Sequence, residues 1–170
     1  LSAIAVTRIA QRVLAANDAP PIWNLAVGDR HAVGAPLAAD RRFPMISATG
    51  SVSMGKAIGK VLAERLGRAL LELGGNNGII VTADADLDLA LRAVLFAAVG
   101  TAGQRCTTTR RLFLHKSIAA EMKAKLVKAY GSVRIGDPSD PSTLMGPLVH
   151  ARAVADYRQV LAYFQALDAA

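Results

Sequence analysis

The chain has 170 residues, 52% of them apolar and only 5% aromatic, with a single cysteine and a formal net charge of +7. That length suffices to bury a core, one cysteine excludes an intramolecular disulfide and any multi-cysteine metal site, and no long apolar run offers a membrane span. The positive charge is scattered: Arg41-Arg42 and Arg110-Arg111 are the only adjacent basic pairs, without interleaved aromatics, which reads as a solvated surface plus a site for an anionic ligand rather than a nucleic-acid groove.

Ser2 to Ala16 spaces Ile4, Val6, Ile9, Val13 and Leu14 along a helix face, with Arg8 and Arg12 among them, and so reads as a helix rather than a signal peptide. Asn17-Asp18-Ala19-Pro20-Pro21 ends it, since proline cannot continue the ladder. Trp23 to Val27, closed by Gly28, is a strand candidate, and Arg42 to Thr49 is a second that runs into Gly50-Ser51. Ser51 to Leu66 has a helical period with Met54, Ile58, Val61 and Leu62 on one side. Arg68 to Leu73 is a third strand, broken by Gly74-Gly75, and Gly78 to Val81 a fourth. Asp84, Asp86 and Asp88 precede a helix carrying Leu87, Leu91, Val94, Leu95 and Ala98, where acidic residues complement the positive helix end. Gly100 and Gly103 punctuate the passage to Cys106, and Leu112-Phe113-Leu114 lies in a further strand. Ser117 is the expected N-cap of a helix with Ile118, Met122 and Leu126. After Gly136-Asp137-Pro138 comes a polar loop, then a last helix from about Val149. There is no internal repeat. Strands alternating with helices predict an α/β protein with a parallel sheet. The chain starts without a methionine, inside one helix, and stops inside another, which reads as a piece of a longer protein.

Three segments carry chemistry. Gly50-Ser51-Val52-Ser53-Met54-Gly55 follows an apolar strand and opens a helix, where free N–H groups and the helix dipole suit a phosphate; a plain turn reads the same way. Glu72 sits between leucines at a strand end, so either it points to the ligand-binding edge of the sheet or it is a surface carboxylate. Cys106, in Gly103-Gln104-Arg105-Cys106-Thr107-Thr108, is either a small buried hydrophobe or a nucleophile whose thiolate Arg105 would favour. A thiol and a carboxylate together can run acyl chemistry, the first forming the adduct and the second activating the water that releases it.

Together these segments resemble the aldehyde dehydrogenase superfamily. Ser47-Ala48-Thr49-Gly50-Ser51 is similar to its cofactor turn, Leu71-Glu72-Leu73-Gly74-Gly75 to its glutamate motif and Gly103-Gln104-Arg105-Cys106 to its cysteine motif, in the same order and spacing. Arg134-Ile135-Gly136-Asp137-Pro138 and Met145-Gly146-Pro147-Leu148 look like later family landmarks. Glu72-Leu73-Gly74-Gly75-Asn76-Asn77 and Gly100 to Thr108 look most like the α-aminoadipic semialdehyde, or antiquitin, branch.

The resemblance implies incomplete parts of two Rossmann-like α/β domains: residues 1–71 as the C-terminal part of an NAD-binding domain and 72–170 as the N-terminal part of a catalytic domain. It implies NAD-dependent oxidation of a small aldehyde, such as an acidic semialdehyde, to the acid through a cysteine thioester, with a CoA-acylating enzyme or a non-catalytic module with a basic surface as alternatives. Cys106 would be the nucleophile, its backbone N–H one oxyanion donor, and Glu72 the general base. Gly50, Ser51, Val52, Ser53, Met54 and Gly55 would lie along the NAD pyrophosphate, Gly34 and Ala35 near the adenosine, and Leu73 would approach the nicotinamide through its backbone. Arg105 and Thr107 would contact substrate, Arg105 as partner of a carboxylate. Neither metal, nucleic acid nor membrane is implied, and the expected setting is a cytoplasmic homotetramer of the full-length protein. Pro21-Ile22-Trp23-Asn24 looks like the family's oxyanion asparagine segment but falls in the wrong place, so Asn24 is not taken as that donor. The family's main ribose-binding segment and its oligomerisation arm would lie outside residues 1–170, so the chain alone is expected to turn over little or no aldehyde and to expose unpaired sheet edges.

Overall fold

The computed structural model describes residues 1–168, which divide into two compact units, Leu1–Leu73 and a second beginning at Gly74. In the first, α1 (Ser2–Ala16) has the bounds expected from its periodicity. The expected strand at Trp23–Val27 is absent: these residues form irregular chain that leans on α1, with Gln11 Nε2 donating to Trp23 O at 3.1 Å and Trp23 Nε1 to Thr7 Oγ1 at 3.3 Å. An apolar run becomes a strand only when another strand accepts its ladder, and no such partner exists for it among the described residues.

A π-type turn at Arg30–Gly34 leads directly into α2 (Ala35–Ala39). Neither was expected from periodicity. The Asp29 carboxylate starts the turn by accepting the His31 and Ala32 N–H groups at 2.8 Å each, a local capping bond that five residues are too few to announce as a pattern. Then β1 (Met45–Gly50), α3 (Val52–Glu64) and β2 (Arg68–Leu73) form a βαβ unit whose strands pair in parallel, Thr49 opposite Glu72 and Gly50 opposite Leu73. Leu62 on α3 and Ala38 on α2 are buried.

In the second unit β3 (Asn77–Val81) pairs in parallel with β4 (Thr109–Leu114), and α4 (Leu87–Val99) forms the crossover. Asp86 caps α4, its carboxylate accepting the Asp88 and Leu89 N–H groups at 3.0 Å. Next come α5 (Ala119–Gly131) and α6 (Ala151–Asp168). Val81, Val94, Ile118 and Met122 make the core between strand, α4 and α5. Ser117 is not the N-cap of α5: Ile118 holds that place with no side-chain cap bond, because the Ser117 hydroxyl is taken by His115 Nδ1 at 2.8 Å. Lys125 of α5 reaches Asp88 of α4 at 2.8 Å and Glu121 at 3.5 Å, so the Asp88 carboxyl is held below its usual range and the Lys125 ammonium above its own. Apolar side chains on both sheets, Met45 and Leu70 in one and Ile80 and Phe113 in the other, remain exposed.

Candidate active site

In the first unit the chain leaves β1 at Gly50, and Ser51 turns it into α3. Ser51 is extended (φ −72°, ψ 155°), its Oγ accepts the Met54 N–H at 3.1 Å, and it lies 2.9 Å from Ser53 Oγ. A first helical turn leaves N–H groups without intrahelical acceptors, and the helix dipole adds positive potential there. Beside this turn a cleft of about 470 Å³ opens against α2 and α3. Ser51, Ser53 and Arg30 give it polar and cationic groups, while Ala35, Ala38, Ala57, Ile58 and Val61 give it small apolar walls. Its size falls within the roughly 300–1,000 Å³ of small-molecule sites. Hydroxyls, a helix N-terminus and a guanidinium beside a flat apolar slot fit the diphosphate and ring of a dinucleotide.

Of the expected cofactor residues, Gly34, Ala35, Ser51, Ser53 and Met54 line this cleft. Gly50 and Val52 adjoin it in the chain. Gly55 and Leu73 meet each other instead: Gly55 is buried, and a Cβ on it would fall 2.5 Å from Leu73 Cδ1. Sequence reasoning missed Arg30, Ala38 and Ala57, and took Ile58 and Val61 only as the packed side of a helix. Their helical spacing was the available signal; Arg30 had none beyond its place after Gly28-Asp29.

Glu72 is exposed on β2 between half-buried Leu71 and Leu73, the alternation a strand imposes. It belongs to the first unit, and Cys106 to the second.

The segment before Cys106 is tightly bent. After α4, Thr101 (φ 56°) and Ala102 (φ 54°) both adopt left-handed backbone, and Gly103 (φ 72°) continues it. Glycine bears this conformation freely, whereas threonine and alanine do not. Gln104 then braces the bend: its Nε2 donates to Thr101 O at 3.1 Å and Pro147 O at 3.4 Å, and its Oε1 accepts the Val149 N–H at 2.8 Å. Residues Arg105 to Thr108 close a turn, with the Thr108 N–H donating to Arg105 O at 3.2 Å and the Arg105 N–H to Thr108 Oγ1 at 3.1 Å. Thr108 is buried, while Cys106 and Thr107 are exposed. Cys106 is therefore an accessible thiol, not a small core residue.

Arg105 turns its guanidinium over the Phe96 ring, 5.2 Å from the centroid, and its Nε–H is buried without a partner. Across the turn, Asn77 Nδ2 donates to Cys106 O at 2.6 Å and to Thr108 O at 3.0 Å. Asn24, far from this turn in sequence, spends its amide on Pro21 O at 3.0 Å. Among the described residues there is no cluster of three metal-binding side chains and no helix long and apolar enough to cross a membrane.

The sequence profile of the aldehyde dehydrogenase family matches residues 1–169. Bovine α-aminoadipic semialdehyde dehydrogenase is 50% identical over 156 residues, covering 91% of this chain and 29% of its own length. Aldehyde dehydrogenase family 7 member A1 of Malus domestica is 48% identical over 153 residues, covering 90% and 30%. The chain thus spans about 30% of the length of such curated relatives. Among solved structures, lactaldehyde dehydrogenase from Escherichia coli superposes with a TM-score of 0.81 at 36% identity, covering 84% of this chain and 30% of that one. Betaine aldehyde dehydrogenase from Staphylococcus aureus, solved in complex with NAD+, gives a TM-score of 0.73 at 31% identity over 76% and 26%.

Proposed function

Because the chain belongs to the aldehyde dehydrogenase family, we propose that it is the part of an NAD-dependent enzyme that oxidises a small aldehyde, an acidic semialdehyde of the α-aminoadipic type, to its carboxylic acid. The observation that carries this reading is the exposed Cys106 thiol, displayed by a turn hydrogen-bonded from within and from Asn77. In it, residues 1–71 serve the cofactor and residues 72–170 the covalent chemistry.

Cys106 Sγ, as thiolate, attacks the aldehyde carbon and forms a C–S bond. The oxygen becomes an alkoxide, which the Cys106 backbone N–H stabilises; donors set before charge develops contribute most in such sites. A bound NAD would supply the acceptor for the hydride of this carbon, leaving the acyl group on Cys106 Sγ as a thioester. Glu72 takes a proton from water, the hydroxide displaces Cys106, and the acid departs with the thiolate restored. Arg105 and Thr107, which flank Cys106, would hold the substrate, Arg105 as the partner of its carboxylate. The cleft would hold the cofactor's diphosphate along the Gly50–Gly55 turn through Ser51, Ser53 and Met54, with Gly34 and Ala35 on its adenosine side and Gly55 packed behind the turn, and its hydroxyls, guanidinium and apolar walls support that use. Leu73 would approach the nicotinamide through its backbone. Glu72 within its motif supports water, not a thiol cofactor, as the acyl acceptor. A thiol nucleophile of this kind works in a reducing compartment such as the cytoplasm, and the enzyme functions as a homotetramer.

The test is the full-length enzyme containing this chain, given NAD and α-aminoadipic semialdehyde. NADH and free acid should form together, and Cys106→Ala should abolish both. Undiminished oxidation by Cys106→Ala would overturn the reading.

A further inference from the structure

We infer that Asn77 is a positioning residue for the cysteine, its side-chain amide fixing the peptide planes that follow Cys106 and Thr108 and so the direction in which the Cys106 Cα–Cβ bond projects its thiol. The inference rests on Cys106 being the nucleophile.

The geometry uses Asn77 fully. An amide nitrogen has two hydrogens, and the two carbonyls within reach are those of Cys106 (2.6 Å) and Thr108 (3.0 Å). One side chain thus ties down both ends of the dipeptide that follows the cysteine Cα. The Cys106 carbonyl carbon and Cβ branch from the same Cα, so holding the carbonyl steadies the backbone and with it the direction of the Cα–Cβ bond that carries the thiol.

Three features aim this side chain. The β3–β4 register is irregular here: Asn77 lies opposite Thr109 but Gly78 opposite Arg111, so Arg110 is bulged out. A bulge kinks the strand locally and redirects the adjacent side chains. The residues before Asn77 are held from β4, with Arg110 Nε donating to Gly75 O at 3.0 Å and Arg111 Nε and Nη2 to Asn76 O at 3.1 and 2.7 Å. Gly75 leaves room for the other end of the amide, since a Cβ there would lie 3.0 Å from Asn77 Oδ1.

The residue type follows from the two acceptors. A carboxylate at 77 would set its lone pairs against two carbonyl oxygens, a hydroxyl would supply one donor, and alanine none. Misplacing a reacting group by about 1 Å costs on the order of 100-fold in rate.

The experiment compares Asn77→Ala, Asn77→Ser and Asn77→Asp in the full-length enzyme by kcat and KM, by the pH dependence of Cys106 alkylation with iodoacetamide, and by NAD binding followed through protein fluorescence. Asn77→Ala should lower kcat about 10- to 100-fold, with NAD affinity unchanged and the alkylation profile altered. Asn77→Ser should recover part of that loss through its single donor, and Asn77→Asp should not. Wild-type kcat and alkylation in Asn77→Ala overturn the inference, as does equal loss in all three variants with an unaltered alkylation profile. Where the variants do not fold, hydrogen exchange in the unsubstituted enzyme decides: slow exchange of the Asn77 side-chain amide protons supports the clamp, and free-amide rates overturn it. Turnover that persists in Cys106→Ala instead removes the nucleophile reading, whereas turnover that depends on Cys106 but not on Asn77 removes only the positioning role.

Discussion

Leu73 at the end of β2 lies directly over Gly55 on α3, so close that a methyl on Gly55 would stand 2.5 Å from Leu73 Cδ1 and 2.6 Å from Cδ2. The strand and helix approach because residue 55 has no side chain, and Leu73 fills the space. Gly55→Ala should destabilise the protein by about 1–3 kcal/mol through overpacking. Leu73→Ala should suppress much of that penalty, giving a coupling energy of about 0.5–3 kcal/mol in a double-mutant cycle read from urea midpoints. Additive effects would show that the two do not pack together.

Ser51 both caps α3 and faces the cleft. Ser51→Ala removes the acceptor for the Met54 N–H and should cost about 1 kcal/mol of stability. It should also weaken NAD binding, measured by titration calorimetry, while Ser51→Asp should restore the cap yet weaken NAD binding further, its charge repelling a diphosphate. Equal NAD affinity in all three forms would place the dinucleotide elsewhere.

Asp40 accepts from Arg42 Nε and Nη2 at 2.9 and 2.6 Å, and these bonds hold its carboxyl down to about 2 from the usual 3.8. A depressed carboxyl contributes stability that is fully present above the unfolded value and lost as pH falls through the folded one. The pair's contribution should therefore fade between pH 3.8 and about 2. Arg42→Gln should move the Asp40 midpoint upward in a carboxyl carbon NMR titration, and an unmoved midpoint would assign the depression to another group.

Glu72→Gln tests the deacylation step. The variant should still acylate, releasing NADH in a burst stoichiometric with Cys106, and then stall with an acyl adduct visible by mass spectrometry. Steady-state turnover should fall about 10²- to 10⁴-fold, the usual contribution of a positioned general base. Loss of the burst as well would make Glu72 necessary before the thioester forms.

Ala102 carries left-handed backbone (φ 54°) in the bend that leads to Cys106. Relief of about 1–2 kcal/mol of steric cost in Ala102→Gly is opposed by about 0.4–1 kcal/mol of added unfolded-state entropy. The variant should be as stable as the parent or slightly more so, while Ala102→Val should be less stable, both read from thermal midpoints. A marked loss in Ala102→Gly would mean that the methyl itself is packed.

The local elements were legible in the sequence because their causes are local. The period of Ile4 to Leu14 set α1, the run from Arg68 to Leu73 set β2, and glycine-marked motifs pointed to Ser51, Glu72 and Cys106. Helical faces and glycine turns depend on neighbours within a turn or so of chain. Trp23 to Val27 misled because a strand needs a partner that no local pattern specifies. Ser117 misled because His115 competes for its hydroxyl.

What the sequence by itself determined, then, is the family, the order of the βαβ segments and the chemistry available at Cys106 and Glu72. Tertiary structure decided how that chemistry is held. Asn77 stands 29 residues from the carbonyl of Cys106 that it grips, and only the β3–β4 register with its bulge at Arg110 brings the two together. Arg30 likewise joins Ser51 only through the cleft beside α2 and α3. A register shift of a single residue turns side chains to the opposite face. Such contacts are therefore set by long-range pairing, which short-range spacing does not record.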